Sequence, residues 1–190
     1  EIHGKFITRA YSLAGVPQGR RFELCLNRVE GGLFSPHLFD LRPGDVVNVA
    51  GPLGYFMWRR PVGRSVLVAT GTGVAPFRGM LQQLRSEGCG SGVTLVFGVR
   101  HEENLLYRTE FEQMAREQGN FRFWPTLSRG GADWIGRRGH VQAHALEAVG
   151  ESVNDTTVYI CGLKAMVDDL RAQLKVAGLD RKRIVYEKYD

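Results

Sequence analysis

Residues 66–77 hold the arrangement with the most chemical promise. Val66-Leu67-Val68-Ala69-Thr70 is a near-apolar run, the pattern of a strand buried on both faces. It breaks into Gly71-Thr72-Gly73-Val74-Ala75-Pro76. From Phe77 a helical period takes over, with Phe77, Met80, Leu81 and Leu84 at i, i+3, i+4 and i+7. Pro76 suits a first helical turn and Gly88 a C′ position. Glycines at a strand-to-helix turn present free backbone N–H groups at the positive end of a helix dipole, which is a phosphate-binding arrangement. The spacing Gly-x-Gly-x-x-Pro lacks the third glycine of the dinucleotide fingerprint. Alone, the turn reads either as a nucleotide loop or as a tight turn of any α/β domain. Arg9 can grip a pyrophosphate by bidentate hydrogen bonds, or stand on the surface of an edge strand. Ser35 before Pro36 reads as the N-cap of a short helix, with its hydroxyl and the first N–H groups facing a phosphate. Ser128-Arg129 and Arg137-Arg138 suit a phosphate dianion or a solvated basic loop. His140, His144 and Glu147 share one helical face at i, i+4 and i+7. No further ligand cluster accompanies them, so a solvated face and no metal are expected. No Gly-x-Ser-x-Gly hydrolase turn occurs.

The elements that must position these groups fit within modest bounds. The chain has 190 residues, 43% of them hydrophobic, room for one large domain or two small ones. No apolar run approaches the roughly 20 residues of a bilayer span. Three scattered cysteines, Cys25, Cys89 and Cys161, form no disulfide framework and no zinc or iron–sulfur spacing, which suggests a reducing, cytoplasmic compartment. The net charge of +5 suits phosphate-bearing ligands or an acidic partner and is too small and dispersed for nucleic acid.

Along the chain, residues 1–60 read as β. Strands are expected at 6–13, at 21–27 with period-two alternation, and at 46–50, with turns at Gly15–Gly19, Gly31-Gly32, Arg42–Asp45 and Gly51–Gly54. Three or four short strands are too few to close a barrel. A boundary falls near Arg59–Gly63. Beyond it, strands at 66–70, 93–97, 121–126, 157–161 and 184–187 alternate with helices at about 76–87, 107–118, 140–148 and 164–177. That rhythm predicts a doubly wound, five-stranded parallel sheet over 61–190, with ligands at the strand C-termini.

At this point several residue groups carry a resemblance. Arg9-Ala10-Tyr11-Ser12, Gly32-Leu33-Phe34-Ser35, Gly51–Gly54 with Phe56, Thr70–Phe77, Phe97–Arg100, Tyr159–Gly162 and Glu187-Lys188-Tyr189 occur in the order and spacing of motifs in the ferredoxin–NADP⁺ reductase superfamily. The resemblance spans the chain apart from the family's opening barrel strands. It implies an antiparallel flavin-binding barrel, partial in this chain, over 1–60, and a nicotinamide-nucleotide domain over 61–190. The implied cofactors are FAD and NADP(H), with NAD(H) open.

The resemblance also implies site roles. Arg9, Ala10, Tyr11, Ser12 and Leu13, with Gly31, Gly32, Leu33, Phe34 and Ser35, would hold the flavin. Thr70, Gly71, Thr72, Gly73, Pro76, Cys161 and Gly162 would take the nicotinamide nucleotide. Ser128, Arg129 and Arg137 would take its 2′-phosphate, Arg100 would also contact the cofactor, and Tyr189 would cover the flavin ring. Ser12, Cys161, Glu187 and Tyr189 would form the reacting centre. Asp190 follows Tyr189 where related bacterial members often end on an aromatic residue. The implied partner is ferredoxin or another small one-electron carrier, and the chain is expected to act as a monomer. The alternatives are a flavin-binding relay or regulatory subunit of a larger redox complex, or an NADH-dependent oxygenase reductase.

Overall fold

A computed structural model describes residues 7–88 and 90–189; the expectations that touch Phe6, Cys89 and Asp190 fall outside the described residues. One sheet dominates. Its strands are β1 (Ser65–Thr70), β2 (Val93–Val99), β3 (Phe121–Leu127), β4 (Arg137–Arg138), β5 (Thr157–Leu163) and β6 (Ile184–Tyr189), in the spatial order β4-β3-β2-β1-β5-β6. Every pairing is parallel. The chain runs outward from β1 through β2 and β3, then crosses back to place β5 on the other flank of β1. That reversal makes the C-terminal ends of β1 and β5 the crevice where open α/β sheets bind ligands.

The helices are α1 (Phe34–Asp40), α2 (Ala75–Ser86), α3 (Arg108–Glu117), α4 (Val141–Val149) and α5 (Lys164–Val176). Alternate residues of β1 feed two cores. Leu67 and Ala69 pack with Phe77, Leu81, Phe111 and Met114 of α2 and α3. Val66 and Val68 pack with Val141, Ala145, Val167 and Leu170 of α4 and α5. Both faces are covered, which is why the strand sequence is continuously apolar. Burying one such leucine or phenylalanine is worth ~1.5–3 kcal/mol. The sheet has one strand more than the five expected, because Arg137–Arg138 pairs with Thr126–Leu127 at the edge. A two-residue strand of arginines carries neither length nor apolar pattern to announce it.

The first 64 residues depart further from expectation. The segments expected as strands form no ladder among the described residues. In their place Leu13 and Leu24 make a single antiparallel bridge, and the Ala14 amide donates to Glu23 O at 2.8 Å. Gln18 and Arg21 exchange amide bonds of 2.9 and 3.0 Å around a turn. Val46–Ala50 lies in no ladder, and Val46 is 87% exposed. Alternating apolar residues make a strand only where a neighbour accepts their backbone bonds. The end of this region joins the α/β core directly. Trp58 is buried there, donates from Nε1 to Met80 O at 2.8 Å and packs edge-on against Tyr159.

Candidate active site

The turn after β1 is built by close approach of two backbones. Gly71–Val74 forms a single 3₁₀ turn that runs directly into α2, with Pro76 in the first turn of the helix. The β1–β5 register sets Ala69 opposite Cys161, so the turn lies against the end of β5. A Cβ on Gly73 would stand 2.4 Å from Cys161 O and 2.7 Å from Cys161 C. Gly162, at φ +150°, meets the turn from the other side: its Cβ would fall 2.2 Å from Thr70 Oγ1 and 2.9 Å from Met166 Cε. Both positions require glycine. Thr70 Oγ1 is buried at this cradle without a hydrogen-bond partner. A buried hydroxyl left unpaired beside backbone N–H groups at a helix start suits a polar, phosphate-bearing ligand.

A second constellation crosses almost the whole sequence. Ser12 Oγ donates to Glu187 Oε1 at 2.6 Å, and the Tyr189 hydroxyl donates to Ser12 Oγ at 2.8 Å. The Cys161 thiol interacts with the same Tyr189 hydroxyl, and Cys161 is opposite Glu187 in the β5–β6 register. All four residues expected at the reacting centre therefore meet at the C-terminal end of the sheet, beside Gly73. Burial pushes the Cys161 thiol up to about 12, with Glu187 adding to the rise and Tyr189 opposing it. Burial, followed by the neighbouring Cys161, also holds the Tyr189 phenol above its usual range. Neither group ionises near neutrality, so this cysteine acts as a small polarizable wall rather than a nucleophile.

A pH dependence follows. A pKa raised from 9.0 to about 12 on folding leaves stability intact below pH 9 and erodes it as pH climbs toward 12, because the unfolded chain loses the proton first. The erosion is at most ~1.4 kcal/mol per pH unit for one group. Thermal unfolding followed between pH 8 and 10, below the range where Tyr189 contributes, should show this slope, and Cys161→Ala should flatten it.

The remaining N-terminal residues lie on the exposed side. Tyr11 stacks on Phe34, with centroids 6.1 Å apart and planes 21° from parallel. Ala10 and Arg9 are exposed, with Arg9 Nη1 donating to Thr8 O at 2.8 Å, while Leu13 is half-buried. Ser35 is not the N-cap. The helix opens at Leu33, and Ser35 Oγ instead accepts from the Val29 amide at 2.9 Å, tying back the loop that contains Gly31 and Gly32. The hydroxyl turns inward because Ser35 is itself buried.

The basic groups divide in two. The Ser128 amide donates to Val99 O at 3.0 Å and the Arg129 amide to Arg100 O at 2.9 Å. Arg100, Ser128 and Arg129 thus share the C-terminal ends of β2 and β3, with exposed side chains. Arg137 is already engaged: it pairs with Glu147 and sits 3.7 Å from the Trp124 ring centroid. Arg138 ties together the carbonyls of Gly130, Gly131 and Trp134. His144 bonds to Arg138 O at 2.9 Å, whereas His140 is exposed. No metal-ligating cluster occurs among the described residues.

Arg78, which the pattern of the sequence left unmarked, joins the two halves. Its guanidinium donates to Ala14 O at 2.8 Å, pairs with Glu23 and Glu110 at 2.5 and 2.6 Å, and lies 4.6 Å from the Tyr107 ring centroid. Burial works against its charge, but the two carboxylates outweigh it and raise the guanidinium further. Gln82, one turn on, accepts from the Val16 amide at 2.9 Å. The i, i+4 placement of two long polar residues opposite the apolar stripe of α2 was the available signal. The helix that starts at the glycine turn therefore grips the segment that carries Ser12.

Two family models match the chain: an oxidoreductase FAD-binding domain over residues 1–58 and an oxidoreductase NAD-binding domain over residues 67–172. Ferredoxin–NADP reductase B of Sorangium cellulosum is 42% identical over 198 aligned residues, which cover 100% of this chain and 81% of that protein. The toluate 1,2-dioxygenase electron transfer component of Pseudomonas putida is 28% identical over 190 residues, covering 100% of this chain and 56% of that protein. Among solved structures, the cytochrome P450 reductase GcoB of Amycolatopsis superposes with a TM-score of 0.88 at 34% identity, covering 98% of this chain and 58% of that one. The chain thus spans four fifths of one relative and little more than half of the other two. No helix among the described residues is long and apolar enough to cross a membrane. With a Ser12–Glu187–Tyr189 cluster at the switch point of a parallel sheet, and FAD- and NAD-binding models that together match most of its length, this chain belongs to the ferredoxin–NADP reductase family of flavin- and nicotinamide-dependent oxidoreductases.

Proposed function

We propose that the chain is the flavin- and nicotinamide-binding part of a cytoplasmic, monomeric reductase that passes electrons between NADPH and a one-electron protein carrier such as ferredoxin. Residues 1–60 form its flavin module and 61–190 its nucleotide module. One observation carries the reading: Ser12, Glu187 and Tyr189 are hydrogen-bonded across 175 and 177 residues of sequence, beside the glycine cradle of β1 and β5. When bound, the flavin and the nicotinamide supply the hydride and electron transfer; the protein supplies order, orientation and electrostatics.

In this reading Arg9, Ala10, Tyr11 and Leu13, with Gly31–Ser35, hold the flavin, and Tyr189 covers its ring. Ser12 holds a small hydroxyl at the reacting edge without blocking approach. Thr70 Oγ1, the Gly71–Gly73 amides, Pro76, Cys161 and Gly162 receive the nicotinamide nucleotide. Arg100, Ser128 and Arg129 face its 2′-phosphate, and Arg137 supports them from its place between Glu147 and Trp124. Glu187 holds the proton-accepting end of the Ser12 bond. If Arg129 selects NADPH, Arg129→Ala should raise KM for NADPH about tenfold, one charge-assisted bond's worth, and leave KM for NADH unchanged.

The decisive experiment is an absorbance spectrum of the protein with added FAD, followed by titration with NADPH and NADH and by coupled reduction of ferredoxin. Absence of a flavin band after addition of FAD would refute the reading. The similarity to a dioxygenase electron transfer component supports a second reading, an NADH-linked oxygenase reductase. Preference for NADH over NADPH by more than tenfold would favour it.

A further inference from the structure

A concave space of about 440 Å³ opens along the β6 edge of the sheet, away from the glycine cradle. Its cationic lining comes from three segments. Arg59 precedes β1, Arg171 and Lys175 stand one turn apart on α5, and Arg181 and Lys182 occupy the 3₁₀ turn before β6. Ile184 and Tyr186 complete the wall. They share one face of β6 by its period of two, while Glu187 and Tyr189 alternate with them. Spacing in helix and strand therefore forces these residues to converge.

Five cations and no carboxylate line the space. The neighbouring acids are occupied. Asp168 pairs with Arg171 at 3.2 Å and Lys188 at 2.7 Å, and Asp180 accepts from the Lys182 amide at 2.8 Å. Among the described residues, the side chains of Arg59, Lys175, Arg181 and Lys182 enter no ion pair. Arg171 is already held in place: its guanidinium carbon lies 3.7 Å from the Tyr186 ring centroid, and Asp168 fixes one Nη. A guanidinium pinned against an aromatic ring and a carboxylate has lost its rotamer freedom before any ligand arrives, which favours binding. Like charges crowded around one cavity repel one another until an anion enters.

The lining also limits the ligand. Among the described lining residues Ile184 supplies the aliphatic wall, and the Arg171 guanidinium covers one face of the Tyr186 ring, so the lining offers far more to an anion than to a base. The volume is in the range of small-molecule sites, roughly 300–1,000 Å³. A concave space of this size suits a compact ligand better than the broad surface of a protein carrier. We propose that this groove binds a compact polyphosphate anion of the diphosphate class, at a site separate from the Gly71–Val74 turn.

The test uses the flavin-loaded protein saturated with NADP⁺, so that the nucleotide site is filled, and titrates it calorimetrically with inorganic pyrophosphate. One further binding event is expected, and Arg181→Glu/Lys182→Glu and Arg171→Gln should each weaken it at least tenfold. NADPH oxidation with ferricyanide should be unchanged in the double variant, which shows that it is folded. The proposal is overturned if no pyrophosphate binds, if sulfate at matched ionic strength produces the same heat, or if binding persists in the variants. It is equally overturned if the double variant loses only ferredoxin reduction while pyrophosphate binds neither protein, since the face would then dock a protein.

Discussion

Ser12→Ala should slow flavin reduction by NADPH at least tenfold while flavin remains bound. The Ser12 hydroxyl receives a bond from Tyr189 at 2.8 Å and gives one to Glu187 at 2.6 Å, so its removal takes a hydrogen bond from two partners at once. An unpaired, largely buried polar group costs ~1–3 kcal/mol, more when charged. Tyr189, released from Ser12, loses the contact that sets its ring position against Cys161. The effect should fall on the rate of reduction in stopped-flow measurements at saturating NADPH, with KM little changed, because no residue of the nucleotide cradle is touched. Ser12→Thr, which keeps the hydroxyl, should recover most of the rate. Equal rates for Ser12→Ala and the unaltered protein would remove Ser12 from the reacting centre.

Gly73→Ala should be the most damaging single-methyl change in the nucleotide turn. Its Cβ would stand 2.4 Å from Cys161 O and 2.9 Å from Gly162 Cα. These are main-chain atoms of β5, so no rotamer relieves the clash. Either the turn or the end of β5 must move, and overpacking of this kind costs ~1–3 kcal/mol. For a chain of this length each kcal/mol lowers Tm by about 2–4 °C. Displacement of the turn should also raise KM for NADPH by about 100-fold. Gly71→Ala is the informative control. Gly71 has φ +53° but nothing within 4 Å of a Cβ, so only backbone strain applies, of order 1 kcal/mol. If Gly71→Ala proved the worse of the two in both Tm and KM, close packing on β5 would not be what makes the turn work.

Much of the nucleotide half was legible because its physics is local. Val66–Thr70 reads as a doubly buried strand, and Phe77, Met80, Leu81 and Leu84 read as the inner stripe of a helix; each is found so. The four helices expected beyond residue 60 appear within a residue or two of their expected ends. The N-terminal half was less legible. Residues 46–50 have strand composition, but strand formation depends on a partner, and none lies alongside them among the described residues. Ser35 illustrates the same point on a smaller scale. Ser-Pro favours a cap, yet burial and the Val29 amide turned the hydroxyl elsewhere.

The amino-acid pattern alone carries the parallel α/β class, the position of the phosphate-suited turn and, through ordered motifs, the family with the four residues expected at its reacting centre. Each depends on residue type and short spacing, which secondary structure reads directly. The folded chain was needed to show how Ser12, Glu187 and Tyr189 bond to one another beside Cys161, that Gly73 is required by main-chain contact with β5, and that Arg78 ties the N-terminal segment to the helix following the turn. Arg137 was likewise found committed to Glu147 and Trp124, while five cations from three distant segments surround one cavity. Most of these contacts join residues far apart in the chain. Their energies depend on burial and on hydrogen bonds closed between elements, which no local pattern encodes.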